Sequence, residues 1–232
     1  MKIKIFSIVA MTLFCSISTL EMWAQNNHSA PKAILSFVNA SEDDAVENLG
    51  SGETSITNTD LGLRSSDEND QLIGIRFTNL NIPQGAIVSS ARLVYNVDQL
   101  KDGWNELEIY AENVDHASPF ESALGNISNR AKTQTAIKLG NNTQWINING
   151  SITSPNIAPV IQEIVNQPGW VEMNAIALMI KGTGGNTAIA YDGNPDLPPM
   201  LIVNYMESKN TFTNVFLITN DNVVAPNNIV PQ

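Results

Sequence analysis

Two runs of strict alternation between apolar and polar residues constrain the fold of this chain more than any other feature. They cover residues 73–77 and 87–97, and a Pro-containing turn at 81–86 separates them. Side chains two positions apart in a strand share a face, so each run can bury one face and expose the other. The pattern predicts a β-hairpin at the centre of an antiparallel β domain.

Further short strands are predicted on both sides of this hairpin, because alternating or apolar runs recur between turn residues. One of them, 174–181, is apolar on both faces, which indicates a central strand that is covered on both sides. The remaining predicted strands are 33–38, 61–63, 107–111, 135–139, 143–148, 187–191 and 200–205. The segment 50–59 is rich in Gly, Ser, Thr and Asn and is interpreted as a loop with a short extended piece.

A single helix is predicted over 155–166, with Ser154 as its N-cap and Pro155 at its first position. Trp170 follows Pro-Gly at the end of this helix and is expected to pack beneath it in the core. Many short strands with one short helix predict an all-β, two-sheet sandwich, and at this length a jelly roll.

The N-terminal residues 1–24 have the charged, apolar and small-residue order of a secretory signal peptide. We therefore expect an exported protein, located in the periplasm, at the cell surface or in the medium. The expected organisation is a signal peptide at 1–24, a linker at 25–32, a jelly-roll domain at 33–206 and a polar tail at 207–232. The tail holds one apolar patch, 215–218. No later segment is long and apolar enough to span a membrane, so no span is expected in the mature chain.

Charge and cysteine content exclude several classes of function. Loss of residues 1–24 would move the formal net charge from −11 to −12, because two lysines and one glutamate leave with them. A surface this acidic repels the phosphates of nucleic acids, which argues against nucleic acids as partners. The one cysteine, Cys15, lies in the expected signal peptide, which leaves no thiol for a disulfide, a nucleophile or a metal site.

Three strings in the sequence resemble a known module: IRFTNLNIPQGAIVSSARLVY, TSPNIAPVIQEIVNQPGW and NTAIAYDGNPDLPPMLIVNY. The module is a jelly roll of secreted bacterial proteins, similar to the DNRLRE-type domains, some of which are classed as carbohydrate-binding module family 96. The resemblance covers about residues 33–205. It implies an accessory, non-catalytic role in binding glycans.

Catalytic patterns are weak in this sequence. His28 and His116 are the histidines, and G-x-S-x-G and zinc-ligand spacings are absent. A glycosidase pair could come from Glu106, Glu108 and Glu112, but a solvated strand face explains these residues better. A lyase site could use the side chains of Tyr191, Lys181, Arg64 and Arg76.

Two kinds of binding site are predicted. Calcium prefers several oxygen ligands. The predicted ligands are the four residues of the densest acidic cluster, Glu42, Asp43, Asp44 and Glu47, together with Asp192. An acidic solvated loop is the alternative interpretation of residues 42–47. Glycans stack on aromatic rings and bond to polar side chains, and the candidates for these contacts are Trp104, Trp145, Tyr191, Asp192 and Arg64.

The leading hypothesis is thus an exported polysaccharide-binding protein that accompanies glycan degradation, with calcium in a structural role. One alternative is a structural or adhesive surface protein that binds a cell-envelope protein. A polysaccharide lyase or hydrolase is the second alternative.

Overall fold

A computed structural model describes residues 29–62, 70–100, 106–139, 148, 150–183 and 185–208. In these ranges the chain forms twelve strands and one α-helix, α1 (Ala158–Val165). The strands are β1 (Lys32–Phe37), β2 (Asp44–Asn48), β3 (Thr54–Ser55), β4 (Asp60–Gly62), β5 (Gln71–Phe77), β6 (Ile87–Gln99), β7 (Glu106–Ala111), β8 (Ile137–Leu139), β9 (Ser151–Thr153), β10 (Ile176–Thr183), β11 (Thr187–Ile189) and β12 (Met200–Met206). No described helix is long and apolar enough to cross a membrane.

The strands form two antiparallel sheets that pack face to face. Sheet A runs β1-β12-β6-β11-β4, with β9 also paired to β6, and sheet B runs β3-β2-β5-β10-β7-β8. Within sheet A, β12 and β9 lie on opposite edges of β6, because Val94 pairs with both Met200 and Thr153. β11 follows β12 along the same edge, because it pairs with Val97 while the N–H of Val97 bonds to Gly150 on the β9 side. The resulting order β1-β12-β6-β9, facing β2, β10, β7 and β8, is that of a jelly roll with β5 inserted. The predicted fold class is confirmed.

The two alternating runs do not form the predicted hairpin. β5 pairs with β2 and β10 in sheet B, whereas β6 pairs with β12, β11 and β9 in sheet A. The turn at Pro83 carries the chain from one sheet to the other. Ile75 of β5 and Leu93 of β6 accordingly meet in one core between the sheets.

The helix begins three residues later than predicted, because the residues before it bond to sheet A instead. Oγ of Ser154 accepts a hydrogen bond from the N–H of Leu93 at 2.9 Å and so does not cap the helix. Oδ1 of Asn156 accepts from the N–H groups of Ala158 (3.0 Å) and Ala91 (2.9 Å). Pro159 then falls in the first turn, where its missing N–H costs no helical bond.

Trp170 packs in the core, as predicted. It is 1% exposed, and its Nε1–H donates to the carbonyl oxygen of Ile82 at 2.8 Å. The indole therefore satisfies its one polar group while the ring fills the end of the sandwich beside α1.

Sheet B is buried on both faces around β10, which lies between β5 and β7 as a central strand. Ile176, Leu178 and Ile180 point into the core between the sheets. Ala177 and Met179 point the other way, into a second apolar cluster. Side chains from the long connection after β7 complete that cluster: Ala117, Phe120 and Ile127.

We call residues 112–134 the cover segment, since they lie over the outer face of sheet B. Phe120 is 1% exposed, and the guanidinium of Arg130 lies 4.4 Å from its ring centroid. Nη1 of Arg130 bonds to Oε2 of Glu112 at 2.7 Å, and Nη2 donates to the carbonyl of Pro119 at 2.7 Å. One arginine thus holds the backbone of the segment in a folded shape and covers the aromatic ring.

Gly74 of β5 is where the cover segment approaches sheet B most closely. A Cβ built there would lie 2.4 Å from Cζ of Phe120. We expect Gly74→Ala to lower the free energy of unfolding by about 1–3 kcal/mol, because the ring is packed too tightly to move aside. Urea denaturation measures the change.

The same substitution in a Phe120→Ala background serves as the control. Phe120→Ala alone should cost about 3–5 kcal/mol through the cavity it leaves. Gly74→Ala should then add under about 1 kcal/mol, since the clashing ring is gone. Equal costs of Gly74→Ala in the two backgrounds would contradict this packing.

Candidate functional site: a polar groove beside a buried acidic strand

The acidic stretch 42–47 is not a solvated loop. Ser41–Asp43 forms a 3₁₀ turn and Asp44–Asn48 is β2, which pairs with β5. Asp43, Asp44 and Glu47 are 3%, 1% and 1% exposed. Carboxylates are rarely buried to this extent unless they are paired, and each of these has its own partner.

Asp43 forms an ion pair with Arg76 beneath the cover segment. Nη1 of Arg76 donates to Oδ1 of Asp43, and its Nε–H donates to the carbonyl of Ala117 at 2.9 Å. Burial raises the pKa of Asp43, against the opposing effect of the guanidinium. The alternation in 73–77 places Arg76 on the polar face of its strand, which would be exposed in an uncovered sheet. Arg76 is 9% exposed instead, because the cover segment lies over that face.

Glu47 fastens β2 to the cover segment. Its Oε2 accepts hydrogen bonds from the N–H groups of Ile127 (2.7 Å) and Ser128 (2.8 Å). Bonds from backbone N–H groups to a carboxylate are charge-assisted and strong. The side chain therefore has a structural partner within the fold.

Asp44 is the first residue of β2 and lies against the loop that precedes β12. Its Oδ2 accepts from the N–H of Tyr191 at 2.8 Å. Burial raises the pKa of Asp44 to about 7; the bond from Tyr191 lowers it, and the nearby charges of Asp192 and Asp43 raise it further. The protein thus holds a carboxyl group that titrates near neutral pH.

The five predicted calcium ligands do not converge on one point. Asp43 and Glu47 bond to Arg76 and to backbone amides, while Oδ1 of exposed Asp192 accepts from Oγ of Ser41 at 2.9 Å. Glu42 is exposed. Within the described part of the chain no three His, Cys, Asp or Glu side chains are grouped so that they could hold a metal ion. This arrangement does not fit a calcium site, and calcium binding stays a prediction of the sequence.

Of the predicted glycan contacts, the structure describes Tyr191 and Asp192. Tyr191 is half-buried and packs against the core between the sheets. Asp192 is exposed beside it. Arg64, Trp104 and Trp145 lie outside the described residues, as do the predicted signal peptide and the apolar patch 215–218.

A groove that the sequence did not indicate lies where β2, β3 and the start of β5 meet the cover segment. It has a volume of about 570 Å³. Its polar lining is neutral apart from Glu53, and the exposed side chain of Leu124 forms one wall. The neutral polar residues are Asn48, Thr54, Ser55, Asn58, Gln71 and Ser122.

Two oxygen atoms in this groove are buried without a hydrogen-bond partner in the protein. They are Oγ1 of Thr54, a residue 8% exposed, and Oε1 of Gln71. Buried polar atoms are nearly always bonded, and leaving one unsatisfied costs about 1–3 kcal/mol. Thr54 and Gln71 are both among the residues that line the groove.

Backbone contacts fix the shape of the groove. Oδ1 of Asn48 accepts from the N–H groups of Gly50 (2.8 Å) and Ser51 (3.0 Å) and so closes the turn between β2 and β3. Gly125 N–H donates to the carbonyl of Gly52 at 2.7 Å, which joins this turn to the cover segment. Both glycines have positive φ, 77° and 70°. The Gly, Ser and Asn content of 50–59 was the available signal, but it indicated only a loop.

Carboxylates in and near the groove are poorly placed for hydrolysis. Glu53 is the one carboxylate among the described residues of its lining, whereas a glycosidase uses two. Glu112 is paired with Arg130, and Oε1 of Glu108 lies 3.1 Å from Nζ of Lys138. Glu108 and Glu112 therefore each have a cationic partner.

No family model matches the chain, and no curated protein matches it. Among solved structures it is similar to dimeric latent PorU from Porphyromonas gingivalis, with 9% identity and a TM-score of 0.27. The match covers 77% of this chain and spans 13% of the PorU chain. At this score the likeness supports no inference about function.

Replacement of Asp44 by Asn should alter the pH dependence of stability. The pKa of Asp44 is 3.8 in the unfolded chain and about 7 in the folded chain. Between these pH values the folded state therefore binds one more proton than the unfolded state. The free energy of unfolding of the parent protein should therefore fall, relative to Asp44→Asn, as the pH rises from 4 to 7. The total change is on the order of 4 kcal/mol.

Urea unfolding from pH 4 to pH 8 measures this difference. Asp196→Asn, at an exposed position in the same loop, is the matched control and should track the parent protein. Parallel curves for Asp44→Asn and the parent protein would show that the Asp44 carboxyl is not perturbed by burial.

Proposed function

We propose that this protein is an exported, non-catalytic polysaccharide-binding protein and that the groove between β2, β3, β5 and the cover segment binds the glycan. The observation that supports this most strongly is the pair of unpartnered oxygens, Thr54 Oγ1 and Gln71 Oε1. Sugar hydroxyl groups both donate and accept hydrogen bonds, so they suit these two oxygens as partners.

The rest of the lining fits the same class of ligand. Hydroxyl and amide side chains suit neutral sugars, and Glu53 disfavours an anionic group in the groove. Leu124 is 72% exposed and offers an apolar surface for the C–H face of a sugar ring. Residues 122–124 of the lining are exposed, so the groove is open to the surface beside them.

Affinity gel electrophoresis against neutral, uronic and sulfated polysaccharides tests the proposal. We expect retardation by at least one neutral polysaccharide and weaker retardation by the charged ones. Migration that no polysaccharide alters would overturn the proposed function.

Thr54→Val removes the unpartnered hydroxyl and preserves the shape of the side chain. Because this hydroxyl bonds to nothing in the protein, the substitution should leave the free energy of unfolding unchanged or slightly higher. Glycan affinity should fall about 5- to 30-fold, the loss of a hydrogen bond of about 1–2 kcal/mol. Isothermal titration calorimetry and urea unfolding measure the two effects.

Thr78→Val, one residue beyond the far end of β5 and away from the groove lining, is the matched control. It makes the same chemical change and should leave affinity at the parent value. An equal loss of affinity in both variants, or in neither, would place the glycan elsewhere on the protein.

A further inference from the structure

The outer face of sheet A carries an apolar surface at β1. Across neighbouring strands, Phe37 pairs with Met200 and Leu35 pairs with Ile202, while Met200 also pairs with Val94 of β6. Leu35 is 58% exposed and Phe37 is 49% exposed. We call these five residues the β1 face. Contiguous apolar patches on a surface often mark a site of interaction.

β1 also offers an unpaired backbone edge. Among the described strands it pairs with β12 alone, so its other edge presents free N–H and C=O groups. Exposed edge strands are commonly protected by charged residues or proline. Lys32 at the start of β1 forms an ion pair with Glu207, and the five residues that follow it in β1 are uncharged.

The chain leaves the described domain beside the start of β1. Ser29 N–H donates to the carbonyl of Glu207 at 3.0 Å, and Glu207 N–H donates to Oγ of Ser29 at 2.8 Å. These bonds hold the end of β12 against the residues that precede β1. From Ser208 the sequence continues for 232 − 208 = 24 residues.

The sequence of these 24 residues suits the β1 face. It has one basic residue, Lys209, and one acidic residue, Asp221, and its longest apolar run is 215–218, Val-Phe-Leu-Ile. β-branched and aromatic residues dominate this run, as in segments that pack on sheets. Residues 209–214 can extend roughly 20 Å, which is about the length of the six-residue β1.

We propose that residues 215–218 pack on the β1 face along the free edge of β1, so that the C-terminal tail completes sheet A. The tail of the same chain is the favoured occupant. A connection of six residues, 209–214, keeps it near the surface at an effective concentration of about a millimolar, well above that of a second copy in dilute solution. The contact buries Leu35 and Phe37 and removes an edge that would otherwise pair with another molecule.

Hydrogen exchange of the full chain, followed by mass spectrometry, tests this inference. The amides of 211–219 should exchange at least tenfold more slowly than those of 222–230. In Leu35→Asp the exchange of 211–219 should accelerate to the rate of 222–230, because a carboxylate in the β1 face opposes apolar packing. Phe216→Asp should produce the same acceleration from the tail side.

Leu124→Asp is the matched control, since it places the same charge at an exposed leucine on the sheet B side. It should leave exchange in 211–219 slow, and all variants should retain slow exchange in β10 as proof that they are folded. Fast exchange of 211–219 in the parent protein overturns the inference. So does slow exchange that persists in Leu35→Asp, or that disappears on hundredfold dilution, which would indicate a second copy as the occupant.

Discussion

The covering of sheet B by residues 112–134 is the constraint on which the rest of this structure depends. Without it, the outer surfaces of Ala177 and Met179 and the guanidinium of Arg76 would face water. Phe120 provides most of the apolar contact, while Arg130 and Glu47 hold the segment through bonds to its backbone. Removing one partner of a buried ion pair such as Asp43–Arg76 lowers the free energy of unfolding by about 3–5 kcal/mol. Sheet B and the cover segment therefore stabilise each other.

The same covering segment produces the candidate binding site. The groove exists because residues 122–124 rise beside the β2–β3 turn, and the bond from Gly125 to Gly52 fixes their distance. Thr54 Oγ1 and Gln71 Oε1 are buried by this arrangement without gaining a partner. These two oxygens are the basis of the proposed glycan site. The candidate site thus follows from packing, not from a distinct motif.

Sequence patterns predicted most strands of the sandwich but not their partners. Alternation shows which residues of a strand share a face, and 174–181 could be identified as central because both of its faces are apolar. Alternation cannot show which strand lies alongside. For that reason 73–77 and 87–97 were predicted to pair with each other, although they belong to opposite sheets. The helix begins later than predicted for a similar reason, because Ser154 bonds to β6, a strand distant in sequence.

The candidate site could be predicted far less well than the fold. The acidic stretch 42–47 suggested a solvated loop or a cation site, because charge alone does not reveal a buried guanidinium or a backbone amide that approaches from elsewhere in the chain. Likewise, no local pattern distinguishes Thr54 and Gln71 from other polar residues near turns.

Sequence by itself determined the all-β class, the single helix and the burial of Trp170, because side-chain periodicity and turn residues act locally. Strand pairing, the burial of Asp44 and Glu47 and the groove were decided by the tertiary structure. The reason is physical: pairing, desolvation and unsatisfied hydrogen bonds depend on segments that are far apart in the chain and meet only when it folds.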